Sequence, residues 1–124
     1  MIKRLILPVC LLLLISPVLS TAGTEEENDS KIKVTFVELG SVRCIPCKKM
    51  QPVMKAIEEE YGEEVKVVFH DVWTDEGKPF AKKYKIRLIP TQVFLDKDGK
   101  EYFRHEGFFP KEEVVKILKQ QGVK

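Results

Sequence analysis

The amino-acid sequence predicts an α/β domain: a central, mixed, four-stranded sheet with helices on both faces. Two observations carry that expectation. Short runs rich in β-branched and aromatic residues alternate with stretches whose apolar residues recur at helical spacing, and strands separated by helices cover both faces of a sheet. Near the end, the turn Asp96-Lys97-Asp98-Gly99-Lys100 joins two strand segments directly, so this pair runs antiparallel and the sheet is mixed.

The elements follow in order. From Ile32 to Leu39, Ile32, Val34 and Phe36 alternate with Lys33, Thr35 and Val37, the period of a strand. Arg43 to Glu60 places Met50, Val53, Met54, Ile57 and Tyr61 on one helical face, with Glu58-Glu59-Glu60 toward solvent. Gly62 is positioned to end that helix. Val65 to Phe69 is a second strand. Thr74 to Lys85 holds a short helix with Phe80, Ala81 and Tyr84 on one face. Thr91 to Leu95 and Glu101 to His105 form the hairpin, and Pro110 opens a last helix carrying Val114, Val115, Ile117 and Leu118.

Ahead of this domain the chain changes character. Lys3 and Arg4 precede a nearly continuous apolar run from Leu5 to Leu19, followed by the small residues Ser20, Thr21, Ala22 and Gly23. That is the layout of a secretory signal peptide over residues 1–22, with cleavage after Ala22 or Ser20. The alternative is a retained anchor formed by residues 5–19, although this run is shorter than the roughly 20 residues that span a bilayer. Cys10 does not fit a lipidation site, since bulky Val9 precedes it and the apolar run continues beyond. Residues 23–31 include the acidic, polar "TEEENDS" and read as a flexible tether. Residues 32–124 form the domain. The chain is thus expected to be exported, in a periplasmic or other extracytoplasmic compartment.

The net charge of +2 belongs to the leader: without Lys3 and Arg4, basic residues fall from 21 to 19, against 19 acidic. A neutral domain offers no electrostatic reason to bind nucleic acid. No cationic block longer than two residues follows the leader, which argues against polybasic attachment to a membrane. A monomer is expected.

Cysteine usage narrows the chemistry. Cys10 leaves with the leader, so the domain has Cys44 and Cys47 alone, in "SVRCIPCKK". A bridge across two intervening residues closes a tiny loop and constrains little of the unfolded chain, so stability is a poor explanation for it. A metal clamp, such as a copper carrier, has two soft ligands here but no third in view. A working redox pair remains. Cys44 falls just past the first strand and at the start of the first long helix, where free N–H groups and the helix dipole favour a thiolate. Arg43, Lys48 and Lys49 add positive charge. Cys44 is expected to be exposed, and Cys47, turned inward by the helix, to be covered.

These residues resemble a known family. "RCIPCKKMQP" is similar to the thioredoxin "WCGPCKxxxP" motif, with Cys44, Pro46, Cys47, Lys48 and Pro52 at the matching positions. "YKIRLIPTQVFLDKDG" resembles the later "YGIRxIPTxxxFxxG" stretch, and Gly107 matches a further glycine. The similarity spans about residues 32 to 121. It implies a thioredoxin-like fold without the usual leading strand–helix unit. It also implies a protein-disulfide reductase with no cofactor beyond its own Cys44–Cys47 disulfide. The catalytic residues implied are Cys44 as nucleophile, Cys47 as resolving thiol, Glu38 and a cis-Pro90; Ile45, Pro46, Ile89, Thr91 and Gly107 would border the substrate. Two departures stand out: Arg43 replaces the tryptophan before the first cysteine, and Gly40 replaces another aromatic. In these respects the chain resembles the exported, short thioredoxin-like proteins of prokaryotes. In an oxidising compartment a reductase draws electrons from a membrane thiol–disulfide donor and passes them to oxidised proteins. A disulfide-forming oxidase of the same fold is the alternative, but no histidine lies between the cysteines to stabilise the thiolate further, which favours the reducing reading.

Glu38 is also reached from its own position. It shares a strand parity with Val34 and Phe36, six residues before Cys44, and a carboxyl on an apolar face is buried with a raised pKa. The alternative is a glutamate reaching solvent at the strand end. Proton exchange between Glu38 and Cys47 is what the resemblance implies. His70 and His105 lack ligand spacing to the cysteines and read as ordinary polar histidines. Trp73 reads as a packing residue in a loop, Met50 and Met54 as core. Phe108 and Phe109 either line the rim of the site or cap the last helix.

Overall fold

The computed structural model describes residues 29–124. The leader, and the tether as far as residue 28, lie outside the described residues. Four strands and three helices follow in the order β1 (Val34–Gly40), α1 (Ile45–Tyr61), β2 (Val65–Asp71), α2 (Lys78–Lys83), β3 (Thr91–Asp96), β4 (Glu101–Glu106) and α3 (Lys111–Lys119). The sheet order is β2-β1-β3-β4. β1 runs parallel to β2 and antiparallel to β3, and β3 and β4 form the antiparallel hairpin. Among the described residues no strand precedes Val34.

β1 is central, and helices cover both sides of it. On one face Val34 and Phe36 pack with Phe94, Met50, Val53, Met54 and Ile57 of α1, and Val114, Ile117 and Leu118 of α3. Phe36 and Phe94 stack with ring centroids 4.9 Å apart. On the other face Val37, Leu39, Val72 and Val93 pack with Phe80, Ala81 and Tyr84 around α2. Two-sided burial explains why β1 ends in an almost continuous apolar run rather than a strict alternation.

The short helix expected within Thr74–Lys85 spans Lys78–Lys83. Thr74 turns the chain ahead of it: its hydroxyl donates to the Asp71 carbonyl at 2.8 Å and accepts the Gly77 N–H at 3.0 Å. Gly62 ends α1 as expected, with φ −59°. Its role is steric, since a Cβ there would stand 2.4 Å from the Glu58 carbonyl oxygen. Trp73 is not packed away; it is 47 % exposed, with the Arg43 guanidinium 5.6 Å above its ring. The β2–α2 turn lifts it onto the surface.

At the Val34 end of the sheet, Lys33 Nζ pairs with Glu64 Oε1 and also donates to the Gly122 carbonyl at 2.8 Å. Glu64 Oε2 accepts the backbone N–H of Lys124 at 2.8 Å. This clasp joins the entry to β1, the α1–β2 turn and the chain's last residues.

Candidate active site

The opposite end of β1 carries the chemistry. The strand stops at Gly40, whose carbonyl accepts the Val72 N–H at 2.9 Å. The connecting loop is held by short-range bonds. Asp71 accepts N–H groups from Val42 at 3.2 Å and Trp73 at 3.0 Å. Ser41, fully buried, accepts the Arg43 N–H on its hydroxyl at 3.2 Å. Desolvation pushes the Asp71 carboxyl upward, but hydrogen bonds from Val42, Trp73 and Ser41, with Arg43 nearby, outweigh it and hold the group below its ordinary value.

Cys44 is the N-cap of α1, in extended backbone, and makes no side-chain cap. Pro46 follows within the first turn, where its missing N–H costs nothing. Cys44 and Cys47 are joined as a disulfide. Cys47 is 1 % exposed and Cys44 8 %. Cys47 is covered as expected, but the exposure expected of Cys44 is corrected: at the helix tip it too is buried. Cys47 lies directly over Gly40: a Cβ on Gly40 would come within 3.2 Å of both its Cβ and its Sγ. Glycine at this position is therefore what lets the second cysteine settle on the strand. Farther along α1, Pro52 lies inside the helix, where it lacks the N–H that an intrahelical bond would use.

One residue pair back along the same face lies Glu38. It is fully buried, and desolvation raises its pKa to about 8, the Gln92 amide pulling the other way. Gln92 faces it across β1 and β3 and donates Nε2–H to Glu38 Oε1 at 3.1 Å. Glu38 Oε2 and Gln92 Oε1 have no hydrogen-bond partner among the described residues. The solvent-reaching alternative for Glu38 is thereby removed. Gln92 was missed in the sequence, although a signal existed: it shares strand parity with Phe94 and so points inward.

The remaining candidates divide. Ile45, 65 % exposed, and Pro46 stand outside the disulfide. The Ile89–Pro90 peptide is cis and Pro90 is buried. Gly107, at φ +92°, donates its N–H to the Pro90 carbonyl at 2.8 Å. Ile89 is half-buried, and its backbone forms no backbone hydrogen bond among the described residues. Thr91 is fully buried, and its hydroxyl donates to the Leu88 carbonyl at 2.7 Å. It shapes the proline loop and presents no side chain to a partner. Phe108 is exposed, whereas Phe109 is buried against Phe94 and Phe103 and donates its N–H to the Met50 sulfur at 3.3 Å. His70 stacks on Phe80 at 3.5 Å and His105 on Phe109 at 4.1 Å, so both rings serve packing.

A family model described as a thioredoxin-like domain matches residues 22–122. The thioredoxin of Staphylococcus epidermidis is 34 % identical over 97 residues, covering 77 % of this chain and 90 % of that protein. Among solved structures, chloroplastic thioredoxin z aligns with a TM-score of 0.65 at 32 % identity, over 75 % of this chain and 81 % of that one. Fasciola hepatica thioredoxin aligns with a TM-score of 0.64 at 29 % identity, over 77 % and 86 %. On that breadth of match the chain belongs to the thioredoxin family, and its Cys44–Cys47 pair makes it a thiol–disulfide oxidoreductase.

Proposed function

We propose that the chain works as an exported reductase of protein disulfides. The observation that supports the thiol chemistry is the placement of the pair: Cys44 caps the helix, and Cys47 is seated on Gly40, two residues along β1 from the buried carboxyl of Glu38. In the reduced protein the Cys44 thiolate attacks a substrate disulfide. A Cys44–substrate bond forms, and the first substrate sulfur leaves as a thiolate. Cys47 gives its proton to Glu38, directly or through water, and attacks Cys44 Sγ. The mixed disulfide breaks, the second substrate sulfur leaves, and the substrate has gained two electrons while Cys44–Cys47 is oxidised. An extended segment of the substrate pairs with the free backbone at Ile89, beside Pro90, Ile45, Pro46 and Gly107. A membrane thiol–disulfide carrier returns the two electrons. The leader, residues 1–22, supports export, and a monomer is sufficient for every step.

The test is the reduction potential of the pair in glutathione and dithiothreitol series. A value near that of reducing thioredoxins, roughly −270 mV, is expected; one near about −120 mV would assign an oxidase instead. Cys47→Ser is expected to trap mixed disulfides with target proteins and Cys44→Ser to trap none. Equal alkylation rates of the two thiols in the reduced protein would overturn the assignment of Cys44 as attacking sulfur.

A further inference from the structure

Glu38 is enclosed by groups that bring it no compensating charge. In its own row across the sheet stand Phe69 on β2, Gln92 on β3 and, beyond Gln92, His105 on β4. His105 Nε2 is engaged with the Phe108 carbonyl at 3.1 Å. α1 turns Cys47 and Met50 toward this face, and α3 turns Val114, Ile117 and Leu118. The nearest charged residue along β2 is Asp71, whose two oxygens accept the Val42 and Trp73 N–H groups. The cationic Lys48 and Lys49 of α1 point to solvent. The single donor to the Glu38 carboxyl among the described residues is therefore Gln92 Nε2–H, at 3.1 Å on Oε1. Oε2 is left without a partner.

We propose that Gln92 is a positioning residue for proton transfer: its amide fixes Glu38 through Oε1 and leaves Oε2 as the oxygen that takes the Cys47 proton. This rests on the reading of Glu38 as the proton acceptor for Cys47. In the step, the Cys47 S–H bond breaks and an O–H bond forms at Oε2, while the resulting thiolate attacks Cys44 Sγ. A carboxylate in a dry site depends heavily on its few hydrogen-bond donors. Removing this one therefore does two things. It disfavours the ionised form that accepts the proton, and it frees the carboxyl plane to turn. The polar pair also bears the cost of a second orphaned oxygen, Gln92 Oε1, which an apolar residue at 92 would avoid.

The experiment measures single-turnover resolution of a trapped mixed disulfide against pH, in Gln92→Met and, should that variant fold poorly, Gln92→Leu. Each is made in the wild-type and the Glu38→Gln backgrounds. In the wild-type background the pH midpoint of resolution is expected to rise by about one unit. The rate at pH 7 is expected to fall by roughly tenfold, the change in carboxylate population that one unit represents. Attack by Cys44 on the substrate should be unchanged. In the Glu38→Gln background the same substitution should add no further slowing. Equal slowing in both backgrounds, or an unmoved midpoint in a folded variant, would overturn the proposal while leaving the role of Glu38 intact. Wild-type resolution in Glu38→Gln alone would overturn that role, and this inference with it.

Discussion

Two neighbouring pairs on one face of the sheet have nearly the same surroundings and opposite chemistry. Phe36 faces Phe94, and one pair further along Glu38 faces Gln92. All four side chains are fully buried between β1, β3 and the helices above them. The aromatic pair stacks, and Phe94 also meets the edge of Phe109. The polar pair makes one hydrogen bond and strands two oxygens. Burial that stabilises the first pair costs free energy in the second, because an orphaned polar group loses its water without replacement. The difference teaches where stability and chemistry separate on this strand. The boundary lies between residues 36 and 38, and the costly side is the one next to Cys47.

Substitutions that break the aromatic pair should have the largest effect. Phe94→Ala is expected to lose about 3–5 kcal/mol in chemical denaturation, from lost transfer energy and the cavity left behind. The thiol chemistry of the fraction still folded should be retained.

Glu38→Gln should work in the opposite sense and depend on pH. The folded pKa is raised, to about 8, so the native state keeps a proton that the unfolded chain releases near its ordinary carboxyl value. This site's contribution to wild-type stability is therefore greatest below the unfolded pKa, falls as pH rises toward about 8, and levels off above. The variant has no such slope from this site. Its advantage should be small near pH 4 and grow to at most about 3–5 kcal/mol above pH 8. Parallel denaturation curves at pH 5, 7 and 9 check this; a constant difference would contradict it.

Gly40→Ala tests the seat of Cys47. The added methyl would meet Cys47 Cβ and Sγ at 3.2 Å, and overpacking of this kind costs about 1–3 kcal/mol. Resolution should slow more than the attack by Cys44. The smallest effect is expected at the outer end of the polar row. His105→Leu keeps packing against Phe109 and should change stability by less than about 1 kcal/mol. It should leave the pH profile of resolution unmoved; a shift would extend the polar unit onto β4.

Much of this arrangement is legible in the chain because local signals agree with the fold. The inward parity of Glu38 follows from Val34 and Phe36, and the hairpin from a glycine turn that Gly99 satisfies at φ +78°. The cysteines lie where a strand feeds a helix. What escaped reading depends on pairing between distant segments. Gln92 becomes meaningful only once β3 is placed antiparallel against β1, 54 residues from its partner. The exposure of Trp73 depends on how the β2–α2 turn leaves the sheet, and the start of α2 at Lys78 rather than Thr74 on a threonine hydroxyl capturing a carbonyl. Gly62 was legible as a stop, but its reason is a carbonyl one turn back rather than its own torsion.

The clasp of Lys33, Glu64 and the Gly122 carbonyl has a practical corollary for handling the protein. β1 runs seven residues from Val34 to Gly40, about 20 Å at a strand's rise of some 3.3 Å per residue. Both ends of the described chain meet at the pole opposite the cysteines. A linker, tag or solid support joined at either end therefore presents the thiols outward and unobstructed. The same polarity suits immobilisation on an electrode, where it sets the distance electrons must travel from the surface to the sulfurs.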